Sequence, residues 1–364
     1  MVEKYSTLSK IKGMIPNKPE RIVDLNTLEE EVLLNQRICD LPLTIEGTWL
    51  QECIDTLYGE LDAKQIPFRP ECYLADEWLS PKDEPVIGIP FYLAHPALIR
   101  LEKKMMLEAE GETRAWCLRL LRHETGHALC HAYRLQHRKR WKEVFGSPAQ
   151  EYPATHRFRP YSKNYVHHLE GFYAQFHPDE DFVETFAVWL TPGMDWRKQY
   201  QGWKALAKLE YVDHLMGLIQ GKPPKVVEGK KYWRLRQLRM TLKSYYKRKR
   251  TSWAEDFPDF HDDNLKRIFC AQDDKPEDGY AAGKLIRKHQ KILINEIALW
   301  SGEKKHIVHN LLKSILARCQ ELKLYVKDSE SVALADLTSY MTTLVMNYVY
   351  TGWYRGDKAQ RKTT

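Results

Sequence analysis

The chain has 364 residues and a net charge of +7, and 43% of its residues are hydrophobic while 29% are charged. That length can bury a sizeable core in one large domain or two ordinary ones, and 11 tryptophans with 20 tyrosines exclude a disordered chain. The seven cysteines have no Cys-X-X-Cys spacing, which excludes a thiolate zinc cage recognisable from sequence and argues against a disulfide framework.

The sequence predicts neither a signal peptide nor a transmembrane segment. The first residues hold no apolar signal-like segment, and no stretch is apolar enough to span a bilayer. Together with the odd number of cysteines, these features predict a cytoplasmic protein without a membrane partner.

Hydrophobic periodicity divides the chain into four predicted parts. They are an N-terminal arm, an α+β catalytic domain with a small mixed sheet, a linker rich in glycine and proline, and a mainly α-helical C-terminal domain. Their predicted ranges are 1–45, 46–220, 221–229 and 230–364. Within the second part, two short runs bounded by prolines predict strands, at 69–78 and 84–96.

Residues 122–133, RHETGHALCHAY, lie on a long predicted helix and contain the pattern HExxH. His123 and His127 are four residues apart, so both imidazoles lie on one helix face and can bind one zinc ion. Glu124 lies about 100° round the helix, so it is placed to act as a general base rather than as a ligand. The alternative is a polar helix face with incidental histidines, which the flanking apolar residues disfavour because they would bury it.

Residues 177–190, HPDEDFVETFAVWL, predict a second helix that begins at His177 with Pro178 in its first turn. Glu180 and Glu184 are four residues apart and therefore share a face. We expect Glu180 to be the third metal ligand and Glu184 to hold a ligand histidine in orientation. The spacing leaves two alternatives open: Glu184 as the ligand, or an acidic helix start that suits the helix dipole.

The sequence resembles a bacterial family of zinc-binding metallopeptidases of the gluzincin type over roughly residues 65–200. The resemblance rests on three segments: LLRHETGHALCHAY, IGIPFYLAHP and PYSKNYVHHLEGFYAQFHPDEDFVETFAVWLTP. It implies a zincin-like domain within 46–220 that binds one Zn²⁺ per chain. The HExxH and ExxxE pair, with a tyrosine seven residues before the first glutamate, is similar to the catalytic arrangement of lethal-factor-like peptidases. In that class the first glutamate of the pair binds the metal, which supports Glu180.

The same resemblance implies roles for residues outside the two motifs. Tyr173 would polarise the scissile carbonyl and stabilise the oxyanion. His167 and His168 could make the same contact with the transition state or the substrate. The resemblance also implies a strand at the sheet edge, for which 86–93 is the candidate, that binds the substrate peptide in extended form.

These observations predict a zinc metallopeptidase, in which Glu124 takes a proton from a metal-activated water that attacks a peptide bond. One alternative is a metal-dependent amide hydrolase in peptide maturation or biosynthesis. Another is a nucleic-acid-binding or scaffold protein that uses the basic segment 230–250, which holds ten lysines and arginines and no acid. We favour the peptidase with a peptide or protein substrate, because every motif residue is present and the acidic run 254–263 would neutralise the basic segment.

Overall fold

A computed structural model describes residues 24–153, 158–159, 161–251 and 261–351. The described residues are mostly helical and include one two-stranded parallel sheet, so the predicted α+β class is confirmed. The strands are β1 (Glu71–Ala75) and β2 (Val86–Pro90), paired from Glu71 opposite Val86 to Ala75 opposite Pro90.

The α-helices are α1 Glu30–Leu34, α2 Trp49–Ala63, α3 Pro96–Met106, α4 Arg114–Tyr133, α5 Lys139–Phe145, α6 Pro178–Leu190, α7 Trp196–Gln199, α8 Ala205–Ile219, α9 Leu242–Thr251, α10 Asp262–Ile268, α11 Ala282–Ser301, α12 Lys305–Glu321 and α13 Glu330–Thr351. Short 3-10 helices are Ile38–Asp40, Phe91–Ala94, Leu135–His137, Tyr173–Gln175, Leu235–Gln237 and Gln272–Asp274.

The strand β2 is buried along its whole length and has neighbours on both sides. One neighbour is β1. On the other side, Gly88 donates its N–H to the carbonyl of Leu79 at 2.8 Å and accepts the N–H of Leu79 at 3.2 Å. The strand expected along 86–93 is therefore shorter than predicted and already has a partner at Gly88, while binding of a peptide there stays a prediction. Leu79 already pairs with the strand, and residues Phe91–Ala94 form a 3-10 helix instead of continuing it.

Helix α4 carries the HExxH motif and has well-defined ends. The side chain of Thr113 caps its start by accepting the N–H of Trp116. Arg134 ends the helix in the left-handed conformation, with φ of 55°. Leu121 and Leu129 are fully buried on this helix, so apolar packing fixes the face that carries the motif.

Helix α6 begins as predicted, since His177 is its N-cap and Pro178 lies in its first turn. The Nδ1 atom of His177 accepts the N–H of Asp179 at 3.1 Å. Every residue from Glu180 to Leu190 is buried. The helix is thus central to the fold, and its carboxylates need partners because a buried charge without one is strongly unfavourable.

Apolar side chains form two main clusters. The first extends from Leu25 to Tyr246 and surrounds α4 and α6. The second joins α10 to α13, between Leu265 and Val345. The predicted domain limits stay predictions, and the part of the N-terminal arm before residue 24 lies outside the described residues. Within the described ranges, no helix is both long and apolar enough to cross a lipid bilayer.

The end of α11 lies against the loop that precedes Tyr173. Gly302, which ends α11 with φ of 71°, packs its backbone onto the backbone of Gly171. A Cβ atom on Gly302 would lie only 3.1 Å from Cα of Gly171. The helical C-terminal region therefore contacts the segment that carries one of the predicted site residues.

Candidate metal centre

The two motif histidines lie on one face of α4, one turn apart. Their ring centroids are 5.2 Å apart and their planes meet at 75°. His123 is buried and His127 is half-buried. The Nε2 atoms of both rings face α6, so the sequence-predicted pair is brought together in the expected orientation.

Glu180 completes a group of three possible ligands. Its Oε2 atom lies 3.2 Å from Nε2 of His123 and 3.3 Å from Nε2 of His127. The three ligand atoms lie within 4.8 Å of one another. Helix packing therefore brings a carboxylate from α6 to the two histidines of α4, which form a candidate metal site with it.

The donor set of this site fits zinc. Catalytic zinc sites use three protein ligands at about 2.0–2.2 Å and leave one position open, so two ligands in a tetrahedral arrangement lie about 3.3 Å apart. Glu180 Oε2 has that separation from each histidine nitrogen. It is also buried and makes no hydrogen bond to any described residue, so a cation would provide the partner that a buried carboxylate oxygen needs.

Glu184 lies one turn further along α6 and contacts the back of the first histidine. Its Oε1 atom is 2.7 Å from Nδ1 of His123, and its Oε2 atom accepts the N–H of Leu169 at 2.8 Å. Because a carboxylate only accepts hydrogen bonds, Nδ1 of His123 carries a proton, which leaves Nε2 as the ring nitrogen that could bind a metal cation. That arrangement is the one a metal ligand requires.

Glu124 is buried between the motif histidines on the adjoining side of α4. It makes no hydrogen bond or ion pair with the residues that the structure describes, and it does not join the three ligand atoms. Because no described residue binds them, the carboxylate oxygens of Glu124 can contact a substrate or a water molecule.

Tyr173 lies beside the first histidine. Its ring centroid is 5.5 Å from that of His123, and it stacks on Phe176 at 5.8 Å. The short 3-10 helix Tyr173–Gln175 positions it immediately before α6. The structure therefore brings Tyr173 to the same end of α6 as Glu180, although its role stays a prediction.

The two predicted histidines, His167 and His168, both contact other parts of the fold. His168 is buried, and its Nε2 is 2.9 Å from the backbone carbonyl of Arg119. His167 is exposed and packs its ring against Phe172 and Trp203. These contacts attach the loop to α4 and α7–α8, and the predicted substrate contacts of both histidines stay predictions.

Burial and charge act in opposite directions on the pKa values of the site. Burial lowers the pKa of His123, but the adjacent carboxylates of Glu180 and Glu184 raise it well above its ordinary value. Burial raises the pKa of Glu180, but the two histidines hold it well below its usual range. For Glu124, burial dominates and raises the pKa. The buried carboxylates thus favour a positive charge among them, either a proton or a metal cation.

Tyr152 contacts the site although the sequence gives no motif for it. Its hydroxyl donates a hydrogen bond of 2.9 Å to Oε1 of Glu180, and its ring stacks on His177 at 3.9 Å. The residue lies 28 positions before Glu180 in an irregular segment. Neither periodicity nor spacing marks such a contact, so sequence reasoning missed it.

Gly126, inside the motif, permits the close approach of α4 and α6. A Cβ atom there would lie 3.1 Å from Cα of Val183, 3.0 Å from its Cγ1 and 3.2 Å from Cδ1 of Phe186. Real Cβ atoms rarely approach other atoms so closely, and here one of the neighbours is helix backbone. Glycine at this position therefore allows the two helices to bring their ligands together.

Comparison with known proteins supports a zinc-peptidase assignment at a coarse level. Residues 99–201 match the model of a family described as "Putative zinc-binding metallo-peptidase". The matched segment is a little over a quarter of the chain and runs from α3 to α7, so it contains the candidate metal site. No curated protein and no solved structure matches the chain.

The first prediction concerns Gly126→Ala. In an open helix, alanine is more favourable than glycine by about 1 kcal/mol. At position 126 the added methyl must push α4 away from Val183, so we expect a net loss of about 1–3 kcal/mol, typical of overpacking, together with weaker zinc binding. Urea unfolding and zinc titration of the purified variant measure both effects.

Gly59→Ala is the matched control. Gly59 also lies in a helix, α2, and a Cβ atom there would have no atom within 4 Å. It should be neutral or stabilising and should leave zinc binding unchanged. If Gly126→Ala behaves like Gly59→Ala in both measurements, the close approach of the two helices is not needed.

Proposed function

We propose that the protein is a zinc-dependent metallopeptidase. His123, His127 and Glu180 hold the metal, and Glu124 is the general base. The observation that carries the proposal is the convergence of two imidazole nitrogens and a carboxylate oxygen, from α4 and α6, next to a further buried carboxylate. The zinc-binding description of the matched family supports the same reading.

The chemistry is hydrolysis of an amide bond. Zinc, when bound, polarises the scissile carbonyl and lowers the pKa of a water molecule. Glu124 accepts one proton from the attacking water as the new C–O bond forms, and it returns that proton to the amine nitrogen as the C–N bond breaks. The products are a carboxylate and an amine. No redox partner or covalent enzyme intermediate is needed.

Two further residues prepare this step. Glu184 keeps the proton of His123 on Nδ1, so that Nε2 can act as ligand. The hydroxyl of Tyr173 would donate a hydrogen bond to the carbonyl oxygen as negative charge develops on it. The ring of Tyr173 next to His123 supports this assignment. The role follows from the resemblance to lethal-factor-like peptidases.

A metal-dependent amide hydrolase of peptide maturation or biosynthesis would use the same residues in the same way. The two proposals differ only in substrate size. Rates on short peptides and on folded proteins, measured with one enzyme preparation, separate them. Hydrolysis confined to short peptides favours the maturation enzyme, whereas cleavage inside folded proteins favours the general peptidase.

The second prediction is that Glu124→Gln abolishes hydrolysis while zinc stays bound. Glutamine has nearly the same shape as glutamate but cannot accept the proton, so the rate should fall by about 10²–10⁴-fold. New termini in a mixture of unstructured peptides, detected by mass spectrometry, provide the rate. Glu143→Gln, on the surface of α5, is the control for removing one carboxylate. Hydrolysis at the wild-type rate by Glu124→Gln would contradict the proposed role.

One surface feature favours a second function. Lys230, Arg234, Arg236, Arg239 and Lys243 are exposed and form no ion pair with the described residues. Beside them the residues Tyr232 and Trp233 are 41% and 57% exposed. The acidic run expected to neutralise this segment lies largely outside the described residues. Cations that pair with phosphates next to rings that stack on bases are typical of single-stranded nucleic-acid binding, which we propose as the second candidate.

The third prediction tests this basic surface. If it binds nucleic acid, the full chain should retain a single-stranded RNA on a filter at 50 mM salt and release it as salt rises, because released counterions drive such binding. Joint substitution Arg234→Ala, Arg236→Ala and Arg239→Ala should weaken retention at least about tenfold. Joint substitution Lys139→Ala, Arg140→Ala and Lys142→Ala on α5 removes equal charge and should not. Equal loss in both variants, or no binding at low salt, rejects this function.

A further inference from the structure

Residues 150–152, which lie in neither a helix nor a strand, contact the start of α6 at three points. The Nε2 atom of His177 is 2.8 Å from the carbonyl oxygen of Gln150. The ring of Tyr152 stacks on His177 with the centroids 3.9 Å apart and the planes at 10°. The hydroxyl of Tyr152 lies 2.9 Å from Oε1 of Glu180. His177, the N-cap of α6, and Glu180, the candidate metal ligand, therefore both contact residues 150–152.

The hydrogen bonds of His177 define its protonation. Nδ1 accepts the backbone N–H of Asp179, so it carries no proton, and Nε2 must be the donor to the carbonyl of Gln150. Both nitrogens of the imidazole are therefore engaged in hydrogen bonds. Such a ring cannot rotate without losing a hydrogen bond, so it is a fixed surface on which the ring of Tyr152 lies.

The two oxygens of Glu180 have different partners. Oε1 accepts the hydrogen bond of Tyr152, since a carboxylate only accepts and the phenol must donate. Oε2 points to the two histidine nitrogens and has no other partner among the described residues. With Oε1 held by Tyr152, Oε2 is the oxygen that faces the histidine nitrogens, so Glu180 would bind a metal through Oε2.

We propose that Tyr152 is a positioning residue for the metal site, which orients Glu180 for ligation through Oε2 by the bond from its hydroxyl to Oε1. This inference rests on the proposed zinc-binding function. Tyr152 as a whole residue is 49% exposed, so it adds little to the apolar core, whereas its hydroxyl contacts the buried ligand. Outer hydrogen bonds of this kind orient ligands and typically change metal affinity by about 10–100-fold.

The test compares the zinc affinity of the wild-type chain with that of Tyr152→Phe, by competition against a chromophoric chelator. Phenylalanine keeps the ring stacked on His177 and removes only the hydroxyl. We expect zinc to bind about 10–100-fold more weakly. The visible spectrum of the cobalt-loaded protein should also change, because the carboxylate is then free to bind through either oxygen. In thermal unfolding, the metal-free protein should lose no more stability than one hydrogen bond to a buried carboxylate provides.

Tyr58→Phe is the matched control, because it removes a tyrosine hydroxyl that donates to the carbonyl of Pro70 at 2.7 Å, in α2 and away from the metal ligands. It should leave zinc affinity and the cobalt spectrum unchanged. If the wild type binds zinc and Tyr152→Phe binds it equally well, Tyr152 does not position the ligand, and the proposed function stands. If the wild type binds no zinc at all, the proposed function fails and this inference fails with it.

Discussion

The close contact between α4 and α6 at Gly126 is the constraint on which the rest of the site depends. Neither helix holds a complete ligand set: α4 supplies two imidazoles and α6 supplies a carboxylate. Side chains of this length meet at one point only if the two backbones approach closely, and the missing Cβ of Gly126 next to Val183 allows that approach. The buried apolar residues of α6 then hold the helices together.

The buried negative charges of the site favour the binding of a cation. Three carboxylates, those of Glu124, Glu180 and Glu184, are buried within one helical contact. Buried anions are stable only beside positive charge or several donors. Glu184 has His123 and a backbone N–H, and Glu180 has Tyr152 and the histidines. A divalent cation among these groups would offset the repulsion that three carboxylates otherwise exert, which makes metal binding and local stability interdependent.

Local geometry explains how much the sequence could predict. The four-residue spacing of His123 and His127 fixes their common face, because helical periodicity is a property of the chain itself. The same rule places Glu180 and Glu184 on one face of α6. Only the packing of α6 shows that Glu180 lies at Nε2 of His123 and Glu184 at its Nδ1. Tyr152 lies in irregular backbone with no period, so only the folded chain reveals its contact. The strand expected along 86–93 ends at Pro90, and its contact with Leu79 at Gly88 comes from tertiary structure that no local pattern reveals.

The metal content of protein purified without added metal, measured by inductively coupled plasma mass spectrometry, decides whether the three ligands form a zinc site. We expect about one zinc per wild-type chain, none in Glu180→Ala, and a partial amount in Glu184→Ala, which loses only the orientation of His123. A wild-type chain that carries no zinc and cannot be loaded with it would show that there is no zinc site. The two histidines and Glu180 would then be a buried polar contact between helices.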